Sequence, residues 1–88
     1  MTEDTITIVN RAGIHARPAA MVVQITKNYT CNIYFEKGND RINAKSIMGI
    51  ITLGASYGTE LKIIAEGDGE EAAVKALVRL FESKFEEE

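Results

Sequence analysis

The residues of this 88-residue chain that could do chemistry gather in one short stretch, GIHARPAA, which runs from Gly13 to Ala20. It contains the only histidine and the only proline of the chain, His15 and Pro18. Proline is tolerated in a helix only in the first turn, where its missing N–H removes no hydrogen bond. A helix is therefore predicted to begin at Ala16, which places His15 at a helix N-terminus, the end that binds anions.

This arrangement favours a phosphate carried on the imidazole of His15. The N–H groups of Ala16 and Arg17 have no carbonyl partners within a helix that begins there. The Arg17 guanidinium adds a fixed positive charge and a fork of donors for phosphate oxygens. Gly13 permits the tight backbone that would turn the ring outward. The residues alone leave the alternative open that His15 fills a helix terminus or pairs with a carboxylate, and that Arg17 is a solvated surface charge.

A second helix start lies in NAKSIMGIITLG, where Ser46 is predicted as the N-cap and Gly54 as the C-terminal stop. The serine could serve as a cap alone. The two-turn helix after it is too short to bury Ile47, Met48 and Ile51 together, and an exposed apolar patch often marks a docking surface. The alternative that all three belong to the core stays open from periodicity alone.

The remaining pattern predicts the order β-α-β-β-α-β-α, a two-layer α+β sandwich. The first helix carries apolar residues on helical spacing, and the closing helix is expected to run through Phe85 before a frayed Glu86–Glu88. The predicted elements are strands at 4–10, two within 31–45 and 59–67, and helices at 16–27, 46–54 and 68–85. The predicted apolar stripes are Ala20, Met21, Val23 and Ile25 in the first helix and Val74, Leu77, Phe81 and Phe85 in the last.

Composition is typical of one globular domain, here residues 1–88, with 45 % apolar and 26 % charged residues. A net charge of −3 argues against direct nucleic-acid binding. Cys31 is the only cysteine, so neither a disulfide framework nor a zinc site is expected, and a reducing cytoplasm fits. We expect no secretory signal and no membrane insertion, because no apolar run approaches the roughly 20 residues that a bilayer needs.

Taken together, GIHARPAA and NAKSIMGIITLG resemble one family, HPr, the histidine-containing phosphocarriers of the bacterial phosphoenolpyruvate:sugar phosphotransferase system. TITIVN and LKIIAEGDGEEAAVKAL fall in the family's order, so the resemblance covers essentially the whole chain. It implies an HPr-like open-faced sandwich, in which four antiparallel strands in the order 1-4-2-3 carry three helices on one face.

The resemblance also implies a function. Enzyme I would pass a phosphoryl group to Nδ1 of His15 beside Arg17, and His15 would pass it to sugar-specific enzyme IIA domains. Ser46 matches a serine that an HPr kinase/phosphorylase modifies in many lineages, with a catabolite-control transcription factor as a further partner. The implied docking residues are Ala20, Ile47, Met48 and Ile51. A cytoplasmic monomer without cofactor or metal is expected, one that carries phosphate but is not itself an enzyme.

Two positions depart from the family's usual pattern, namely Tyr57 in a loop that is commonly smaller and Cys31 at a position that is usually polar. A purely regulatory module that signals through Ser46 remains an alternative to a transport protein. The catabolite-repression relative of HPr lacks the histidine, so the presence of His15 argues against that relative. A small-molecule-binding domain has no feature in its favour.

Overall fold

The computed structural model describes residues 1–86, with the backbone only at Glu86. Glu87 and Glu88, which belong to the segment predicted to fray, lie outside the described residues. The elements are β1 (Thr2–Thr7), α1 (Ala16–Thr26), β2 (Asn32–Lys37), β3 (Asp40–Asn43), α2 (Ile47–Leu53), β4 (Glu60–Glu66), α3 (Glu70–Glu82) and a 3₁₀ turn (Lys84–Glu86).

The strands form one antiparallel sheet in the order β1-β4-β2-β3, and this confirms the predicted topology. The central strand β4 is apolar in its interior, and Ile63 lies between Asp4 of β1 and Phe35 of β2. On the open face of the sheet, Lys62 lies between Thr5 and Glu36, so these neighbouring side chains are polar. The period of two in β4 thus separates a helix-covered face from an open face, on which Ile64 is nevertheless only 2 % exposed.

The core lies between the sheet and the helices. Phe35 of β2 meets Phe81 of α3 edge to face, with ring centroids 5.8 Å apart. Burial of aromatic and aliphatic side chains is the main favourable term in folding. Other members of this core are Ile8, Val22, Ile33, Leu61, Ile63, Leu77 and Phe85. No helix within residues 1–86 combines the length and the apolar character that a membrane crossing requires.

The predicted apolar stripe of α1 is not the most buried face of the helix. The helix buries Pro18, Ala19, Val22 and Thr26, while the predicted Ala20, Met21, Val23 and Ile25 are only half-buried. The Thr26 hydroxyl donates to the carbonyl of Ala44 at 2.9 Å, so a polar residue occupies the core face with its hydrogen bond satisfied. Hydropathy alone predicts that a threonine lies on the exposed face of a helix. The face of α1 inferred from apolar residues therefore differs from the face that is buried.

The predicted continuous helix through Phe85 is wrong. Helix α3 ends at Glu82, and Lys84 and Phe85 have φ of 56° and 55°, in the left-handed region that bulky residues rarely enter. This reversal brings Phe85 back onto Phe81, with ring centroids 5.0 Å apart, and buries it fully. The burial of the Phe85 ring offsets the cost of its backbone conformation.

Candidate functional site at the N-termini of helices α1 and α2

His15 is the N-cap residue of α1. Its backbone is extended, with φ −114° and ψ −164°, and its carbonyl accepts the N–H of Ala19 at 3.0 Å. The imidazole is exposed and makes no capping hydrogen bond to the helix. The ring therefore stands at the positive end of α1 without being used to cap it.

The first turn of α1 presents a small number of donors beside His15. Of its opening residues, Pro18 has no N–H, so the backbone donors of this turn that lack a partner within the helix belong to Ala16 and Arg17. Both residues are exposed, and Pro18 is buried beneath them. Among residues 1–86 no ion pair holds the Arg17 guanidinium. The structure thus brings His15, Ala16 and Arg17 together at one helix end.

The loop that enters α1 requires glycine at position 13. Gly13 has φ of 71°, and a Cβ there would lie 3.0 Å from the Ala55 carbonyl oxygen and 3.1 Å from Cα of Ser56. The next residue, Ile14, donates its N–H to the same Ala55 carbonyl at 2.9 Å. The tight backbone predicted at Gly13 takes the left-handed conformation, and the close approach of the loop after α2 is an additional reason for glycine there.

Ser46 is the N-cap of α2, as predicted. Its Oγ accepts the N–H of Gly49 at 3.0 Å and its carbonyl accepts the N–H of Ile50 at 3.0 Å. Gly54 ends the helix in the left-handed conformation, with φ of 71°. The Ser46 hydroxyl is half-exposed, so the structure leaves it within reach of the solvent while it caps the helix.

An apolar surface borders this helix start. Ile47 and Met48 are 41 % and 66 % exposed, so the alternative that places all three apolar residues of α2 in the core is wrong. Ile51 is half-buried against the core, and Ala20 is half-buried on α1, which packs against α2. We refer to Ala20, Ile47, Met48 and Ile51 as the α1–α2 patch.

Sequence reasoning missed Asn10. This side chain is only 1 % exposed, and its Nδ2 donates to the carbonyl of Gly13 at 2.6 Å. The N–H of Gly13 in turn donates to the carbonyl of Asn10 at 3.1 Å. An asparagine three residues ahead of a glycine is a turn signal that could have identified this contact.

No group of three or more histidine, cysteine, aspartate or glutamate side chains that could hold a metal occurs within the part of the chain that the structure describes. In the first turn of α3, hydrogen bonds from the Thr2 hydroxyl and the Gly67 N–H lower the pKa of Glu70. At the head of α1 the structure places an imidazole, backbone donors and one guanidinium.

Fold and site define a small α+β sandwich that presents an exposed histidine at a helix N-terminus, and comparison with known proteins identifies the group. Residues 2–83 match the family described as "PTS HPr component phosphorylation site". The chain is 47 % identical to "Phosphocarrier protein HPr" of Treponema pallidum, with full coverage of both. Its structure matches that of HPr-C-His from Thermoanaerobacter tengcongensis with a TM-score of 0.96 and 57 % identity, covering 100 % of this chain and 99 % of the other.

A second kind of relative is also similar. The "HPr-like protein Crh" of Bacillus subtilis is 39 % identical over 77 residues, which cover 88 % of this chain and 91 % of the relative. From the family match and the full-length relatives, this chain belongs to the HPr family of the phosphotransferase system.

Proposed function

We propose that this protein carries a phosphoryl group on His15, accepting it from phosphorylated enzyme I and passing it to enzyme IIA domains. The observation that carries the proposal is the exposed position of the His15 imidazole at the N-cap of α1. A ring nitrogen of His15 attacks the phosphorus, and the resemblance to HPr implies that this nitrogen is Nδ1. The bond from phosphorus to the enzyme I donor atom breaks as the new N–P bond forms, and its electron pair returns to that atom.

The residues around His15 would hold the carried phosphate and do little else. The N–H groups of Ala16 and Arg17 and the positive end of α1 favour the added negative charge. The Arg17 guanidinium can donate two parallel hydrogen bonds to phosphate oxygens. Because these donors are already placed, they need little reorganisation when charge builds up during transfer. The protein is thus a carrier that depends on partner enzymes for the rest of the transfer site.

Both partners would dock on the α1–α2 patch. A specific interface covers about 800 Å² of each partner, so a protein that reaches His15 also covers neighbouring parts of α1 and of α2, which packs on it. The exposure of Ile47 and Met48 supplies the apolar centre that such interfaces use. The proposed partners operate in the cytoplasm, and we place this protein there with them.

We further propose that phosphorylation of Ser46 regulates docking. The hydroxyl lies directly before Ile47 and Met48, and a phosphate there adds a charge of about −1.5 to −2 that a docked partner must desolvate. An HPr kinase/phosphorylase would add it, and a catabolite-control transcription factor would bind the modified form.

The test of the carrier function uses phosphoenolpyruvate, enzyme I and the full chain. Intact mass should rise by one phosphoryl group, and the label should be lost in acid and kept in base, because an N–P bond is acid-labile. His15→Ala should take no label while remaining folded by circular dichroism. Acid-labile phosphate on His15→Ala would disprove the assignment to His15.

A second candidate is a regulatory module that signals through Ser46. It is favoured by similarity to Crh of Bacillus subtilis, a solved structure of which is described as that of a catabolite repression protein. Such a module would take phosphate at Ser46 from ATP and a kinase, and would take none from enzyme I. An acid-stable, Ser46-dependent label together with no acid-labile label would favour this candidate over the carrier.

A further inference from the structure

Asn10 connects the sheet to the loop that presents His15. Two residues earlier, Ile8 donates its N–H to Thr59 at 2.9 Å and accepts the N–H of Gly58 at 2.8 Å, which fixes the chain at the end of β1. Asn10 follows this fixed point and is itself buried. The backbone just before Asn10 is therefore held by the Ile8 bonds, while the Asn10 amide reaches forward to Gly13 in the loop.

The amide of Asn10 holds one side of a single peptide unit. Nδ2 donates to the Gly13 carbonyl at 2.6 Å, and the Ile14 N–H of the same Gly13–Ile14 peptide donates to Ala55 at 2.9 Å. Both polar groups of this peptide are thus tethered, one to the β1 side and one to the loop after α2. Glycine gives the backbone its greatest freedom, so the tethers act where the loop would otherwise be softest.

The bond to Gly13 fixes the orientation of the Asn10 amide. The Gly13 carbonyl can only accept, so the NH₂ group of the amide must face it and Oδ1 must point the other way. That Oδ1 is buried and has no hydrogen-bond partner among the described residues.

We propose that Asn10 is a positioning residue for His15. By holding the Gly13–Ile14 peptide, Asn10 fixes the path by which the chain delivers the His15 backbone to the N-cap of α1. The inference rests on the proposed carrier function. Displacement of a reacting group by about 1 Å can cost about 100-fold in rate, so loss of one tether should affect phosphoryl transfer more than folding.

The experiment measures transfer from phosphorylated enzyme I to Asn10→Ala and Asn10→Asp, each with its thermal midpoint. Both variants remove the Nδ2 donor, and aspartate keeps the shape of the side chain. Each should lower kcat by about 10- to 100-fold. KM should change little, because the α1–α2 patch is intact. Exchange of the Ile14 amide hydrogen should become faster in both variants.

Thr26→Val is the matched control, since it removes another buried bond from a side chain to a carbonyl, at the far end of α1. It should lower the thermal midpoint and leave kcat at the wild-type value. If the wild type labels normally and both Asn10 variants transfer at the wild-type rate, the positioning role of Asn10 is overturned. The proposed carrier function would be unaffected by that result. A loss of kcat in Thr26→Val equal to that in Asn10→Ala would also overturn it, because stability would then explain both. Failure of the wild type to label would instead defeat the proposed function.

Discussion

The amide of Ile14 donates a 2.9 Å hydrogen bond to the carbonyl of Ala55, so the residue before His15 is bonded to the loop that follows α2. The segment that leads into α1 is thus held against the chain just beyond Gly54, at the C-terminal end of α2 and not at the end that Ser46 caps. Gly13 makes the contact possible, because a side chain there would collide with Ala55 and Ser56.

Gly13→Ala should therefore destabilise the protein by about 1–3 kcal/mol, from a left-handed backbone and a steric collision. Urea unfolding measures this, and transfer to His15 should fall as well. Gly38→Ala is the matched control, because Gly38 has φ of 60° and a Cβ at that position would meet nothing within 4 Å. The difference between the two variants isolates the collision. Equal losses would contradict the proposed role of the Ala55 contact.

Arg17→Ala should slow transfer to His15 by about tenfold or more, which corresponds to about 1.4 kcal/mol of activation free energy. The change in stability should stay within about 0.5 kcal/mol, because Arg17 is exposed and makes no ion pair among the described residues. Arg17→Lys should restore part of the rate, since an ammonium lacks the planar fork. Arg79→Ala, an exposed arginine on α3, is the control. Wild-type transfer by Arg17→Ala would reduce Arg17 to a surface charge.

Met48→Ala should raise KM for enzyme I with a smaller change in kcat, because Met48 is 66 % exposed and contributes to docking rather than to the core. Ile50→Ala, on the same helix but only 2 % exposed, should show the opposite pattern. It should lower stability by about 2–5 kcal/mol while KM of the folded fraction stays near the wild-type value. Steady-state transfer at several protein concentrations separates the two effects. An unchanged KM in Met48→Ala would remove it from the α1–α2 patch.

The extent to which sequence predicted this structure depended on how local each determinant is. Ser46 and Gly54 were placed correctly as the ends of α2, because capping depends on the conformation of a few neighbouring residues. The buried face of α1 was not, since Thr26 enters the core by bonding Ala44, a residue 18 positions away. Phe85 belongs to the predicted apolar stripe and is buried, yet it reaches the core through a chain reversal instead of a helical turn.

The candidate site divides in the same way. His15, Arg17 and Ser46 stood out because their types and spacing suggest phosphate chemistry without any knowledge of the fold. Asn10 did not, because its burial follows from the loop folding back against Ala55 and the sheet. Residues that react can thus be found in the sequence more easily than residues that hold them.

Glu70 should make stability depend on acidity below neutral pH. The Thr2 hydroxyl, the Gly67 N–H and the N-terminal ammonium all favour its ionised form and lower its pKa from 4.5 to about 2. Because the folded-state pKa is depressed, its contribution is fully present above about pH 4.5 and is lost as the pH falls toward 2. Glu70→Gln should be less stable than wild type at pH 6, and the gap should close toward pH 2. Glu71→Gln, in the same first turn, is the control. A gap independent of pH would contradict this account.

Ser46→Asp should depress transfer to His15 without unfolding the domain. Ser46→Ala should instead lower the stability of the domain and leave transfer little changed. Alanine removes the bond from the Gly49 N–H and should cost about 0.5–2 kcal/mol of stability. Aspartate can keep that bond, and an anion at a helix N-terminus is favoured by about 0.3–1 kcal/mol. The new charge lies next to Ile47 and Met48, however, so a docking partner must desolvate it and KM should rise more than kcat falls.

Thr30→Asp adds the same charge at an exposed position outside α2 and is the control. Steady-state transfer from enzyme I at two salt concentrations tests the mechanism, because long-range repulsion would disappear at high salt and local desolvation would not. An unchanged KM in Ser46→Asp would rule out regulation through docking.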